Sequence, residues 1–165
     1  MYTKKNSIAT ILLVNFIFYP LSLSHPVGME QKNLNLELDD SSTTVYWNFE
    51  KMYLYVHTKH FENSEQFRQS LELEKDILAR KDGRKILYEI NELIEMSKED
   101  RAHIRDEHIP HLVRKGLKFM ALVTPHQQVM KDVFVDTIRG TFAEEDLEIQ
   151  FFDAIEEAED WLKTK

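Results

Sequence analysis

The spacing of apolar residues describes one α/β domain: a mixed β-sheet that opens with an N-terminal hairpin and continues as βαβαβα units with about four helices. Three observations carry this reading. Lys85 to Ile90 and Leu117 to Val123 are short, continuously apolar runs separated by one helix-length polar segment, the pattern of strands covered on both faces of a parallel sheet. Thr43 to Trp47 and Met52 to His57 are rich in β-branched and aromatic residues and flank Asn48-Phe49-Glu50-Lys51, which predicts a hairpin. The chain closes on an alternating segment, Leu147 to Phe152, followed by a stripe of apolar residues at helical spacing.

Residues 1 to 28 form a separate block, with Lys4 and Lys5, an apolar run from Ile8 to Tyr19, and Ser22-Leu23-Ser24 before His25. The block reads as a signal peptide or as a mis-called start ahead of Met29, and either way stands outside the fold. The apolar run falls short of the roughly 20 residues that span a bilayer, and Asn15 and Pro20 interrupt it. Residues 29 to 42 read as a loose polar N-terminus, and 43 to 165 as the domain.

In the hairpin Val45, Trp47, Met52, Leu54 and Val56 share an aliphatic-rich face, while Tyr46, Tyr53, Tyr55 and His57 share the other. A helix is expected to cover the tyrosines. Phe67, Leu71, Ile77 and Leu78 then recur on one face of a crossover helix capped by Ser64 and stopped by Asp82-Gly83. After the strand at Lys85 to Ile90, Ser97-Lys98-Glu99-Asp100 makes a capping-box pattern, and the helix it starts is bent or restarted at Pro110 and ends at Gly116. Thr124-Pro125 closes the next strand and opens a helix carrying Val129, Val133, Phe134 and Ile138, ended by Gly140. Ala143 to Asp146 is an acidic connection, and Leu147 to Phe152 is the last strand. Asp153 is expected to cap the final helix, with Ala154, Ile155, Ala158, Trp161 and Leu162 inward and Glu156, Glu157, Glu159 and Asp160 in water.

The chain has 165 residues, 42% of them hydrophobic, enough for one real core. Without cysteine it has no disulfides, no thiolate zinc site and no thiol catalysis. Two of the 21 basic residues and none of the 29 acidic ones lie in the leader, so the net charge of −8 becomes −10 from Met29 onward. Such a field repels phosphate backbones and anionic headgroups, which argues against nucleic acid and membrane surfaces as partners.

No phosphate loop, nucleophile elbow or dinucleotide fingerprint is present. His103, His108 and His111 cluster with Asp106 and Glu107, but Pro110 disturbs the helical spacing that would let them share a metal, and surface or capping roles explain them, as they do His57 and His60. Glu89, Glu92 and Glu95 sit at the carboxyl end of a parallel strand, where open α/β sheets place ligands. An outward position at the strand end explains Glu89. Ser97 combines a capping role with a place where a phosphate would meet a helix N-terminus. No catalytic, cofactor or metal residue is assigned, and the chain is expected not to be an enzyme.

From Val45 to Leu162 the chain resembles the SpoIIAA-like group of STAS-fold proteins, in the small form found in Bacteroidetes, which are themselves similar to the Sec14 lipid-binding fold. The segments that carry the resemblance are YWNFEKMYLYVHT, KILYEINEL, HIPHLVRKGLKFMALVTP and FFDAIEEAEDWLK. It implies a cytoplasmic regulatory or protein-interaction module in an anti-sigma-antagonist-like signalling role, with a protein partner and a homodimer as a further option. If residues 1–24 are a true signal peptide the protein is instead exported. Anti-sigma-factor antagonists of this fold carry an Asp-Ser-Ser-Gly type motif whose serine is phosphorylated, and here that place reads Glu95-Met96-Ser97-Lys98, with the serine but without the acidic-serine pair and the glycine. Ser97 is the implied phosphoswitch, and Asn91, Glu92, Glu95 and Met96 complete the implied contact surface. The Sec14-like alternative, a carrier of a lipid or other small apolar ligand, requires an apolar cavity between helices and sheet.

Overall fold

A computed structural model describes residues 33–91, 96–138 and 146–165. Its strands are β1 (Leu34–Asp39), β2 (Thr43–Asn48), β3 (Tyr53–Thr58), β4 (Lys85–Ile90), β5 (Phe119–Val123) and β6 (Glu148–Phe152). Its α-helices are α1 (Ser64–Lys81), α2 (Lys98–His103), α3 (Ile109–Arg114), α4 (Gln127–Ile138) and α5 (Ile155–Lys163), with a π-helical turn, Ile104–His108, joining α2 to α3. The six strands form one mixed sheet in chain order, β1 to β6. The β1–β2 and β2–β3 pairs are antiparallel, and β3 through β6 run parallel. The α/β fold and mixed sheet follow the sequence pattern. Among the described residues, no helix is long and apolar enough to cross a membrane.

Because each crossover steps one strand in the same direction, right-handed connections put all three crossover helices on one face. The core divides accordingly. Leu71, Ile77 and Leu78 of α1, Ile104, Ile109 and Leu112 beyond α2, and Met130 of α4 pack on Val45, Leu54, Val56, Ile86, Met120 and Leu122. The opposite face, Tyr46, Tyr53, Tyr55, Leu87 and Ala121, is closed by Ile155, Ala158 and Leu162 of α5. Tyr53 and Tyr55 are fully buried, so the tyrosine face is covered as expected.

Several boundaries move. The stretch read as a loose polar N-terminus contains β1, which pairs with β2 along its length and bulges between Leu36 and Leu38. The bulged residue, Glu37, reaches Arg80 at 3.4 Å and Lys81 at 3.6 Å, the basic last turn of α1. An edge strand takes its order from its neighbour, which is why its polar composition hid it. Met52 belongs to the turn, not to β3: Asn48 Oδ1 accepts the amides of Glu50 and Lys51, and Met52 takes a left-handed φ of 55°. Asn63, one residue earlier than expected, caps α1 by accepting the Gln66 amide at 3.0 Å. At its other end Asp82 is left-handed, and a Cβ on Gly83 would come within 2.6 Å of Leu78 Cδ2 and 3.2 Å of the Trp47 ring. Glycine is needed there for close approach.

Ser97 caps α2 as its sequence predicts. The interruption expected at Pro110 takes the form of a π-helical turn before it, with Pro110 in the first turn of α3. Proline supplies no N–H and crowds the preceding turn, and the π turn is the local adjustment. Gly116, at φ 109°, ends the unit. Pro125 precedes α4 by a turn instead of opening it, and α5 is preceded by Ala154 without a side-chain cap, not capped by Asp153. Gly140 and Ala143 to Glu145 lie outside the described residues, as does the leader.

The charged face of α5 is the clearest correction. Glu159, expected in water, is only 8% exposed: it accepts a hydrogen bond from the Tyr53 hydroxyl and pairs with Lys51 at 2.8 Å. A carboxylate on this helix is tolerated inside because two donors, both from the hairpin, meet it.

Candidate functional site

The implied contact residues separate into different surroundings. Ser97 is exposed, and its Oγ accepts the Asp100 amide at 3.0 Å while its hydroxyl donates to Asp100 Oδ2 at 2.7 Å. Asp100, 4% exposed, also accepts from the Ser64 hydroxyl at 2.5 Å and Arg68 Nε at 3.0 Å, so it ties the start of α2 to the start of α1. Burial opposes its ionisation, but the hydrogen bonds from Ser64, Ser97 and Arg68 outweigh burial and hold its carboxyl below the usual range. Ser97 is therefore a structural cap engaged with a carboxylate. Arg101, the next cation along α2, donates to the Met96 carbonyl at 2.9 Å.

Asn91 belongs to a second group, at the carboxyl end of β3 and β4. Its Nδ2 donates to Glu89 Oε1 at 3.1 Å and lies 3.4 Å from His57 Nε2. Glu89 also accepts from the buried Tyr55 hydroxyl, and His57 Nδ1 is 4.0 Å from Glu89 Oε2. Burial, then the hydrogen bond to Glu89, pushes the Tyr55 hydroxyl well above its ordinary range, so it acts as a fixed donor. Glu89, expected to point outward at the strand end, instead has this set of partners. Glu92 and Glu95 lie outside the described residues.

Of the histidines, His60 is exposed. His103 Nδ1 lies 3.3 Å from Glu107 Oε2, the one-turn pair its spacing suggested. Burial, helped by Lys75, Lys115 and Arg114, lowers the pKa of His111. No group of three or more potential metal ligands occurs among the described residues. His108 departs from a surface or capping role altogether: it is 1% exposed and turned inward by the π-helical turn.

What His108 faces is a cavity of about 120 Å³ between the sheet and the crossover helices. Its walls are mainly apolar, with the paired rings of Phe61 and Phe67, Ile90, Met120 and Leu122 from the sheet, and Met130 and Phe134 from α4. Met96 lines it too, the one described residue of the implied contact set that does. Among the polar side chains set into these walls, three meet one another: Tyr88, Glu74 and His108. Tyr88, on β4, donates to Glu74 Oε2 on α1 at 2.5 Å, and His108 Nε2 lies 3.4 Å from the same oxygen. Burial and the adjoining Glu74 push the Tyr88 hydroxyl well above its ordinary range. Glu74 is 2% exposed. The approach of His108 to Glu74 lacks hydrogen-bond geometry, and neither ring nitrogen of His108 has a hydrogen-bond partner.

Sequence reading missed this assembly, although a signal existed. Glu74 interrupts the Phe67, Leu71, Leu78 stripe at helical spacing, and His108 falls between Ile104 and Leu112 four residues from each. A titratable residue on an apolar stripe is costly unless it has partners, so each predicts a polar contact inside. Protein-family models, curated proteins and solved structures were all compared with the chain, and none matches.

Proposed function

We propose that this chain is a non-enzymatic regulatory module that binds a small, mainly apolar molecule between its sheet and its crossover helices. The cavity carries the reading. Close-packed interiors leave few voids larger than a water, and apolar cavities of about 150 Å³ admit a benzene-sized ring. A space of about 120 Å³ is comparable, which suits a ring-sized molecule better than a long acyl chain. The carrier alternative drawn from the Sec14-like resemblance is thereby narrowed to a small ligand.

The regulatory half rests on Met96. It lines the cavity and lies one residue before the α2 cap, in the segment implied as a protein-contact surface. A molecule touching Met96 bears on that segment directly, so occupancy can be communicated to a protein partner without chemistry on the ligand. The module shifts between states only by as much as the ligand's affinities for them differ.

Methyl NMR tests the binding half. Met96, Met120 and Met130 line the cavity, whereas Met52 is 48% exposed on the hairpin turn. With methionine methyls labelled with carbon-13, benzene titration is expected to shift the three cavity resonances and leave Met52 in place. Uniform shifts, or none up to the solubility of benzene, would sink the proposal.

A further inference from the structure

Resting on that cavity reading, we infer that the ligand is a neutral molecule with an apolar body and one hydroxyl group, and that the hydroxyl docks on the His108 imidazole. The argument begins from the cost of His108. An imidazole 1% exposed with neither nitrogen hydrogen-bonded forfeits contacts it would have in water, a penalty native proteins rarely leave standing. A partner entering the cavity removes it.

The neighbouring groups restrict what that partner can be. Glu74 is an acceptor already engaged by the Tyr88 hydroxyl, and its Oε2 is 3.4 Å from His108 Nε2. A ligand carboxylate or phosphate drawn to His108 would be held close to Glu74 in a setting with little water to screen the two charges. A ligand ammonium would meet Glu74, but it brings a full charge into a mostly apolar lining and, having only donors, can accept nothing from the His108 ring N–H. A hydroxyl fits best, because it can accept from or donate to the imidazole whichever nitrogen carries the proton. Ser70 and Thr137, also in the lining, already donate to the backbone carbonyls of Phe67 and Val133, at 2.9 and 2.7 Å, whereas His108 is the lining group with both ring nitrogens unbonded, so it gains most from a ligand hydroxyl.

Benzene, phenol and benzoate test this on the whole chain, read by the Met96, Met120 and Met130 methyls and by the nitrogen-15 signals of the His108 ring. In a purely apolar cavity phenol binds at least tenfold more weakly than benzene, since its hydroxyl loses water and gains nothing. Here phenol is expected to bind about fivefold more tightly than benzene, to shift the His108 ring nitrogens as benzene does not, and to outcompete benzoate by at least tenfold. In His108→Leu, benzene binding is retained and the preference for phenol reverses. If that variant does not fold, the benzene and phenol comparison on the wild-type protein decides alone. Benzene binding with phenol weaker, or benzoate the tightest of the three, overturns the inference and leaves the cavity reading intact. Failure of both benzene and phenol to bind overturns the cavity reading and the inference with it.

Discussion

A negative charge at Ser97 is expected to weaken the protein, and the size of the effect follows from the contacts of the cap. Asparagine and aspartate cap helices about equally well, and an anion at a helix N-terminus gains from the dipole. On local grounds Ser97→Asp should therefore match or exceed Ser97→Asn. The tertiary contact reverses the order, because the Ser97 hydroxyl is 2.7 Å from Asp100 Oδ2, and Asp100 is 4% exposed. Two like charges about 4 Å apart in an effective dielectric near 20 repel by about 4 kcal/mol. Ser97 is exposed and Arg68 contacts Asp100 at 3.0 Å, so screening and that cation reduce the penalty to about 1–2 kcal/mol. Urea unfolding of the two variants at low salt and at about 1 M salt checks this, with the gap expected to shrink by half or more at high salt. A Ser97→Asp variant as stable as Ser97→Asn at low salt would refute the reasoning. Were it to hold, a phosphoryl group, carrying about twice the charge, would loosen the start of α2 rather than order it.

Two further outcomes are expected. Glu159→Ala should cost about 2–3 kcal/mol by urea unfolding, because it strips the buried Tyr53 hydroxyl of its acceptor and Lys51 of its partner; in a Tyr53→Phe background the cost should fall by about 1 kcal/mol. The Asp100 carboxyl has its pKa lowered in the folded protein, so its contribution is present above the unfolded-state carboxylate value and is lost as pH falls through the lower folded value. The stability gap between wild type and Asp100→Asn should accordingly be widest near pH 7 and close as pH drops below about 4, measured as urea midpoints across that range.

The candidate site was only partly legible in the sequence. Met96 and Ser97 are adjacent, yet Met96 lines the apolar cavity while Ser97 joins the α1–α2 tie, and Asn91 goes with Glu89 and His57. Sequence proximity put them on one surface, whereas their side chains meet different parts of the fold. Glu74, Tyr88 and His108 come from α1, β4 and the π-helical turn, and only the packing of α1 and α3 over the same sheet face makes them neighbours.

Local chemistry was enough to set the hairpin, the length of α1, the central strands β4 and β5, the cap of α2 and the glycine that ends α3. Each depends on side-chain period or on one residue's backbone preference within a few positions, information the chain carries in order. The strand order of the sheet, the β1 edge, the inward turn of His108 and the burial of Glu159 were fixed by partners far along the chain. Tyr53 and Glu159 are 106 residues apart: the spacing of Glu159 from Ile155 and Leu162 places it on the inward stripe of its helix, but nothing local names the donors that meet it there. A buried charge is tolerated only where distant donors converge on it, and that convergence exists only once the sheet and its helices have assembled.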